Sequence, residues 1–122
     1  DEANHRLFSA TRSPAKFWVF DTDTGKIVTT LPCTAYNDHL IFDAAHKRIY
    51  ITGTETATVI QQRDADHYEH LAEVPTGYRS KTSLLVPELN RLYVALSGKD
   101  MSGKPLLKPG AQLAIRIYEV QP

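Results

Sequence analysis

Two short acidic segments contain the residue types that bind divalent cations. The first, Asp21-Thr22-Asp23-Thr24-Gly25, has side-chain oxygens at alternating positions, as the beginning of a calcium-binding loop does. An EF-hand loop needs its glycine sixth and a bidentate glutamate twelfth, whereas here the glycine is fifth and the twelfth residue is Pro32. We therefore interpret the segment as a turn between strands, in which Gly25 supplies a positive φ and the Asp and Thr side chains bond backbone N–H groups.

The second acidic segment brings four possible ligands close together in sequence: Asp64, Asp66, His67 and His70. Carboxylates and imidazoles could hold a divalent ion if this segment folded back on itself. On a strand, however, His67 and His70 would lie on opposite faces, because they are three residues apart. We favour a solvated connection between strands, and we predict neither a metal site nor a cofactor.

The sequence also lacks the common catalytic motifs. There is no Gly-x-Ser-x-Gly, and the glycines at 98 and 103 lack the spacing and the following Ser or Thr of a phosphate-binding loop. A single cysteine, Cys33, excludes an internal disulfide and a thiolate metal cluster, and its place beside Pro32 is typical of a small packed hydrophobic residue. We interpret Trp18, among Phe17, Val19 and Phe20, as a packing residue. No catalytic residue is predicted.

The overall charge argues against two classes of partner. The chain has 14 basic and 14 acidic residues, so it carries no electrostatic footprint for nucleic acid or for an anionic membrane surface. No apolar run approaches the roughly 20 residues that span a bilayer. We expect no nucleic-acid partner and no membrane span.

A repeat in the sequence indicates the strands that position these residues. His5-Arg6-Leu7-Phe8-Ser9 returns as Lys47-Arg48-Ile49-Tyr50-Ile51 and as Asn90-Arg91-Leu92-Tyr93-Val94. A second phrase, Ile27-Val28-Thr29-Thr30-Leu31-Pro32, returns as His70-Leu71-Ala72-Glu73-Val74-Pro75. Both recur at intervals of about 43 residues, and short strands at such a period are typical of β-propeller blades, each made of four antiparallel strands.

This period divides the chain into three units of one domain, residues 1–122. We predict a partial blade at 1–34, a complete blade at 35–77, and a partial blade at 78–122 that carries a loop insertion at 97–110. The end units lack one strand each, which makes ten strands in all. The predicted fold class is all-β, a β-propeller fragment of two to three four-stranded antiparallel blades without significant helix.

With the repeats aligned, the chain resembles the YncE-like, YVTN-repeat family of seven-bladed β-propellers, in their C-terminal portion. The matching phrases cover nearly the whole chain outside 97–110, and the clearest are Val19-Phe20-Asp21-Thr22-Asp23-Thr24-Gly25-Lys26-Ile27-Val28, Phe42-Asp43-Ala44-Ala45-His46-Lys47-Arg48-Ile49-Tyr50 and Val86-Pro87-Glu88-Leu89-Asn90-Arg91-Leu92-Tyr93-Val94. The resemblance implies a periplasmic or secreted protein of which this chain is a truncated part. It brings no catalytic motif, and no signal peptide is present in the chain.

A candidate binding site follows from the propeller prediction. In propellers the entries to the innermost strands open onto the central channel, where ligands commonly bind. Six residues precede or begin two such strands and form our predicted channel-mouth set: Asn37, Asp38, His39, Tyr78, Arg79 and Lys81.

The preferred function is a non-enzymatic binding or scaffold module of unknown ligand. The incomplete end blades would each have an unpaired edge and a bare apolar face, and both features favour association. The expected partners are a second copy of the chain, with a homodimer as first choice, or the missing N-terminal blades, or another protein or small ligand. The alternative is part of an enzyme or redox-partner propeller whose active site lies at the channel mouth and needs blades absent from this chain.

Overall fold

The computed structural model describes residues 1–100, 102–105 and 113–122, with Lys81 described by its backbone alone. The strands are β1 (Arg6–Arg12), β2 (Ala15–Asp21), β3 (Ile27–Pro32), β4 (His39–Asp43), β5 (Arg48–Thr52), β6 (Glu55–Gln62), β7 (Tyr68–Gly77), β8 (Ser80–Val86), β9 (Arg91–Leu96) and β10 (Ala114–Glu119). Two three-residue 3-10 turns, Glu2–Asn4 and Pro87–Leu89, are the helical elements of the described residues. The predicted all-β class is confirmed.

The strands form three antiparallel sheets in chain order. The first sheet has the order β1-β2-β3, the second β4-β5-β6-β7, and the third β10-β9-β8. β7 continues past Pro75 to Gly77. Proline is tolerated there because β7 is an edge strand, on which an N–H can be lost without breaking the sheet.

The loop predicted at 97–110 lies only partly within the described residues. Within residues 97–100 and 102–105, Lys99 and Pro105 form an isolated antiparallel bridge. Residues 101 and 106–110 lie outside the described part of the chain.

The repeated arginines occupy equivalent positions, as their spacing predicted. Arg6, Arg48 and Arg91 are the first residues of β1, β5 and β9. The preceding residues are all left-handed, with φ of 53° at His5, 52° at Lys47 and 50° at Asn90. Their carbonyl oxygens accept equivalent hydrogen bonds, at 3.0 Å from the N–H of Thr22, at 2.8 Å from that of Gln62 and at 2.8 Å from that of Val120. Each unit therefore begins its arginine strand with the same local turn.

The second sheet lies between the other two and is covered on both faces. One core, against the first sheet, contains Phe17, Val19, Ile49, Ile51 and Ile60. The other core, against the third sheet, contains Tyr50, Val59, Leu92 and Val94. The apolar run of β5 belongs to both cores, because successive residues of a strand point to opposite faces. This explains why β5 has no polar face.

The outer faces of the first and third sheets remain open and partly apolar. Leu84 and Ile115 on the third sheet are 62% and 68% exposed. On the first sheet Trp18 points away from the core, because Phe17 and Val19 on either side of it point inward. Its ring stacks on Phe20 at 6.4 Å, and its Nε1 donates to Thr11 Oγ1 at 3.0 Å. Trp18 therefore contacts its own sheet on the outer face and takes no part in the core between the first and second sheets.

Candidate functional site

Three of the predicted channel-mouth residues, Asn37, Asp38 and His39, line a cleft of about 270 Å³ between β1 and β4. Arg12 stands across it, forming an ion pair with Asp38 and donating from Nε to the carbonyl oxygen of Asn37 at 2.8 Å. Leu40 of β4 also lines the cleft and is half-buried. The first of our candidate surfaces thus lies at the open edge of the first sheet.

The Asn37 side chain hydrogen-bonds to the backbone of two neighbouring segments. The side chain is only 6% exposed, and its Nδ2 donates to the carbonyl oxygens of Thr11 at 2.8 Å and Thr34 at 3.1 Å. Both amide hydrogens are therefore engaged by backbone acceptors. Asn37 orients the residues that follow it, and the ion pair of Asp38 with Arg12 lies in the cleft.

His39 joins the second sheet to the third. Its Nδ1 lies 3.2 Å from both the backbone N and the Oγ of Ser83. Because a backbone N–H can only donate, Nδ1 accepts, which places the proton of the neutral ring on Nε2. Thr52 Oγ1 donates to the same Ser83 hydroxyl at 2.8 Å. Sequence reasoning missed Ser83 and Thr52, for which the chain carries no local signal.

The second half of the channel-mouth set lies at the entry to β8. Arg79 has left-handed backbone at φ 54°, and its Nη1 donates to the carbonyl oxygen of Lys99 at 2.7 Å. Arg79 is thus directed to the segment that follows β9, whereas the contact of β8 with His39 runs through Ser83. Tyr78 precedes Arg79 in the same turn. Lys81 lies in β8, and its side chain is outside the described part of the structure.

The Asp21–Gly25 segment forms the turn that we predicted. Asp21 Oδ1 accepts hydrogen bonds from Thr24 N at 2.8 Å and Asp23 N at 3.0 Å, and Gly25 has φ 71°. These bonds, led by that of the Thr24 N–H, lower the pKa of Asp21, since they favour the ionised carboxylate. Asp21 Oδ1 is thus used within the turn, while Asp21 Oδ2 pairs with Arg6 and Asp23 Oδ2 with His5.

Asp64 and His67 of the second acidic segment pair with each other, with His67 Nδ1 2.8 Å from Asp64 Oδ1, while the other side chains turn to separate partners. Asp64 Oδ1 accepts from the N–H groups of Asp66 and His67, both at 2.9 Å. Asp66 turns to Arg6 at 2.6 Å, while His70 pairs with Glu73 at 3.0 Å. Across the described residues, no three His, Cys, Asp or Glu side chains converge as metal ligands.

Cys33 behaves as a packing residue. It is half-buried against the core between the first and second sheets. Burial, with a smaller contribution from the charge of Glu73, raises the pKa of Cys33 to about 11. A thiol so rarely ionised is a poor nucleophile and a poor metal ligand at neutral pH.

A second cleft, which sequence reasoning missed, lies between β7 and the third sheet. It has a volume of about 250 Å³, and its lining includes Leu71, Ala72, Leu92 and Tyr118. Tyr50 also lines it and is 5% exposed. The only sequence signal for this cleft was an aromatic residue two positions after each repeated arginine.

The hydroxyl of Tyr50 is buried without a hydrogen bond to any described residue. Among the described residues it is the buried side-chain polar atom that lacks a hydrogen-bond partner. Burial raises the pKa of Tyr50, and Arg48 and Asp43 modulate that pKa more weakly without reaching hydrogen-bond geometry. An orphaned buried hydroxyl costs free energy, so a group that could bond to it would be favoured at this position.

The repeated arginines also make repeated contacts between sheets, which we call the arginine clamp. Arg6 Nε donates to the carbonyl oxygen of Ala65 at 2.9 Å, in the connection that follows β6 of the second sheet. Arg48 donates to the carbonyl oxygens of Gln121 and Pro122, which follow β10 of the third sheet. The side chain of Arg91, the third member, makes no hydrogen bond or ion pair within the described residues. Two members of the clamp, Arg6 and Arg48, are thus engaged with the next sheet, and the clamp at Arg91 is open among the described residues.

Comparison with known proteins supports the fold. No protein-family model matches the sequence. No curated protein matches it either. A solved structure of a protein from Lactobacillus plantarum is similar, with a TM-score of 0.69 and 15% sequence identity over 94% of this chain and 42% of that protein. This chain thus spans less than half of that structure, and the likeness is one of fold, a β-propeller-like arrangement of antiparallel sheets. In the described residues, no helix has the length and hydropathy to cross a membrane.

Proposed function

We propose that the chain is a non-enzymatic binding and scaffold module of the YncE-like, YVTN-repeat propeller type, which acts by joining further sheets to its open faces. The observation that carries this proposal is the open arginine clamp at Arg91. A periplasmic or secreted location and a ligand at the channel-mouth residues remain predictions from the family resemblance.

The open clamp lies on an apolar face of the third sheet. Leu92 and Val94 point into the core, so alternation puts Arg91 and Tyr93 on the opposite, outward face. Arg6 and Phe8 have the same spacing, and there Phe8 packs against the second sheet. The third sheet therefore repeats the donor surface of the first sheet, but no described part of the chain packs upon it.

The partner that suits this face is a second copy of the chain. The outer face of the first sheet carries an apolar set composed of Leu7, Trp18, Phe20 and Ile27. Arg6 donates a hydrogen bond to the connection that follows β6. The turn after β2, at Asp21–Gly25, is the equivalent connection in the first sheet and could accept such a bond from Arg91 of a second copy. Two copies placed head to tail would cover both open faces in one closed ring of six sheets. Closed symmetric assembly is the common way to satisfy such surfaces.

Sedimentation velocity over a wide concentration range, supported by native mass spectrometry, tests the proposal. We expect a dimer for the wild-type chain and a dissociation constant raised at least about tenfold by Arg91→Ala or Leu84→Asp, because each removes part of the joining face. Arg63→Ala is the matched control, since Arg63 is an exposed arginine paired only with Glu69 among the described residues. A wild-type chain that stays monomeric at high micromolar concentration would overturn the self-assembly.

A further inference from the structure

The unpaired edge of β10 lies beside the cleft between β7 and the third sheet. In the described part of the chain β10 pairs with β9 alone. In the second sheet the equivalent strand, β6, pairs on one side with β5 and on the other with β7. The equivalence follows from register, since Arg48 lies opposite Gln61 on β6 and Arg91 lies opposite Glu119 on β10.

We propose that this cleft binds an extended peptide, which adds to the free edge of β10 as a fourth strand and places a side chain into the cavity beside Tyr50. Peptides commonly bind in this way to exposed sheet edges, where the backbone gives affinity and alternate side chains give specificity. The site is on the inner face of the third sheet, away from Arg91, so the proposal stands apart from self-assembly.

The first sheet shows what is missing opposite Tyr50. Phe8, two residues after Arg6, packs edge-on against Tyr68 with ring centroids 5.8 Å apart. Tyr68 is the first residue of β7, the fourth strand of the neighbouring sheet. Among the described residues, Tyr50, two residues after Arg48, makes no such ring contact, and its hydroxyl lacks a hydrogen-bond partner. The cavity therefore occupies the place that a fourth strand fills at the other sheet interface.

The lining of the cleft indicates the kind of peptide. Leu71, Ala72 and Val74 of β7 form one apolar wall, and Leu92 and Val120 belong to the wall opposite. An apolar side chain would bury this surface, and a polar atom near it could accept the hydrogen bond of Tyr50. The two fourth strands of this chain, β3 and β7, both mix apolar and polar residues and place an apolar residue directly before a proline. We infer a peptide of that pattern.

The test uses the sequence of β7 as a probe in trans. A fluorescently labelled peptide of residues 67–77 is titrated with the intact chain and followed by anisotropy, beside a scrambled peptide of the same composition. We expect saturable binding of the first peptide, with protected amides along β10 in hydrogen exchange. Equal binding of the two peptides, or no binding at millimolar protein, would overturn the proposal.

Two variants locate the site. Ala72→Trp fills the cavity and is expected to abolish peptide binding, while Tyr50→Phe keeps the fold and is expected to weaken binding up to about tenfold through one lost hydrogen bond. Arg63→Ala, at an exposed residue outside the cleft lining, is expected to leave peptide affinity unchanged. Unaltered binding by both cleft variants would refute this location. If the chain is a monomer but binds the peptide, self-assembly is rejected and the peptide site stands. If the chain is a dimer but does not bind the peptide, the peptide site is rejected and self-assembly stands.

Discussion

The Nε of Arg6 donates a hydrogen bond to the carbonyl oxygen of Ala65 at 2.9 Å, across 59 positions of sequence. The contact ties the beginning of a strand in the first sheet to a connection in the second. Arg48 makes the equivalent contact with the residues that follow β10. The same side chain that marks the sequence repeat therefore also joins each repeat to the next.

We expect the engaged and open clamps to differ in their effect on stability. Arg6→Ala should lower the melting midpoint of the monomer by several degrees, because it removes the bond to Ala65 and the ion pairs with Asp21 and Asp66. Arg91→Ala should leave that midpoint unchanged. Thermal circular dichroism of dilute protein measures both, and equal effects of the two variants would contradict the clamp.

The close approach at Gly53 should not tolerate a side chain. A Cβ at this position would lie 2.5 Å from the carbonyl oxygen of Ala35 and 2.7 Å from Thr34 Cγ2. Because the nearest atom belongs to the backbone, relief requires movement of the segment itself, and Gly53→Ala should destabilise the fold by about 1–3 kcal/mol. Urea unfolding measures this change, and an unaltered midpoint would show that the segment yields freely.

The Asp21 turn should contribute to the acid limb of stability. The pKa of Asp21 is lower in the folded chain than in the unfolded one, so its contribution is present above the unfolded value of about 4 and is lost as pH falls through the folded pKa. Asp21→Asn should therefore flatten the dependence of the melting midpoint on pH below about 4.

Thr24→Ala provides a second measurement of the same turn. It removes the hydroxyl that donates to Asp21 Oδ1 at 2.9 Å but keeps the carboxylate. We expect it to flatten the acid limb in the same direction and to a smaller extent than Asp21→Asn. An acid limb identical to that of the wild type in both variants would contradict the assigned role of the turn.

Cys33 should react slowly with thiol reagents in the folded chain. With a pKa of about 11, about 0.1% of the thiol is ionised at pH 8, against about a quarter at an ordinary pKa of 8.5. We expect the reaction with Ellman's reagent at pH 8 to be at least about 100-fold slower than in concentrated urea. Equal rates in the two conditions would show that Cys33 is accessible and ionised.

Local features of the chain could be predicted from its sequence because they depend on neighbouring residues. The period of the arginines predicted the strand starts at Arg6, Arg48 and Arg91, which the structure confirms. The Asp21–Gly25 turn was likewise predictable, since the Asp side chain and the glycine act within five residues. The all-β class followed from the same alternation of apolar strands and turns.

The pairing of faces depended on tertiary packing. Strand alternation predicts that Phe17 and Trp18 point in opposite directions, but it does not say which of the two sides another sheet will cover. His39 was predicted from the sequence as a channel-mouth residue that could bind a ligand, and the structure joins it to Ser83, 44 residues away. The sequence by itself thus determined the repeat, the strands and the local turns. Only the packing of three sheets decided that the Tyr50 hydroxyl would be buried without a hydrogen-bond partner among the described residues, and that Arg91 would face outward. Both outcomes depend on which sheet lies against which face.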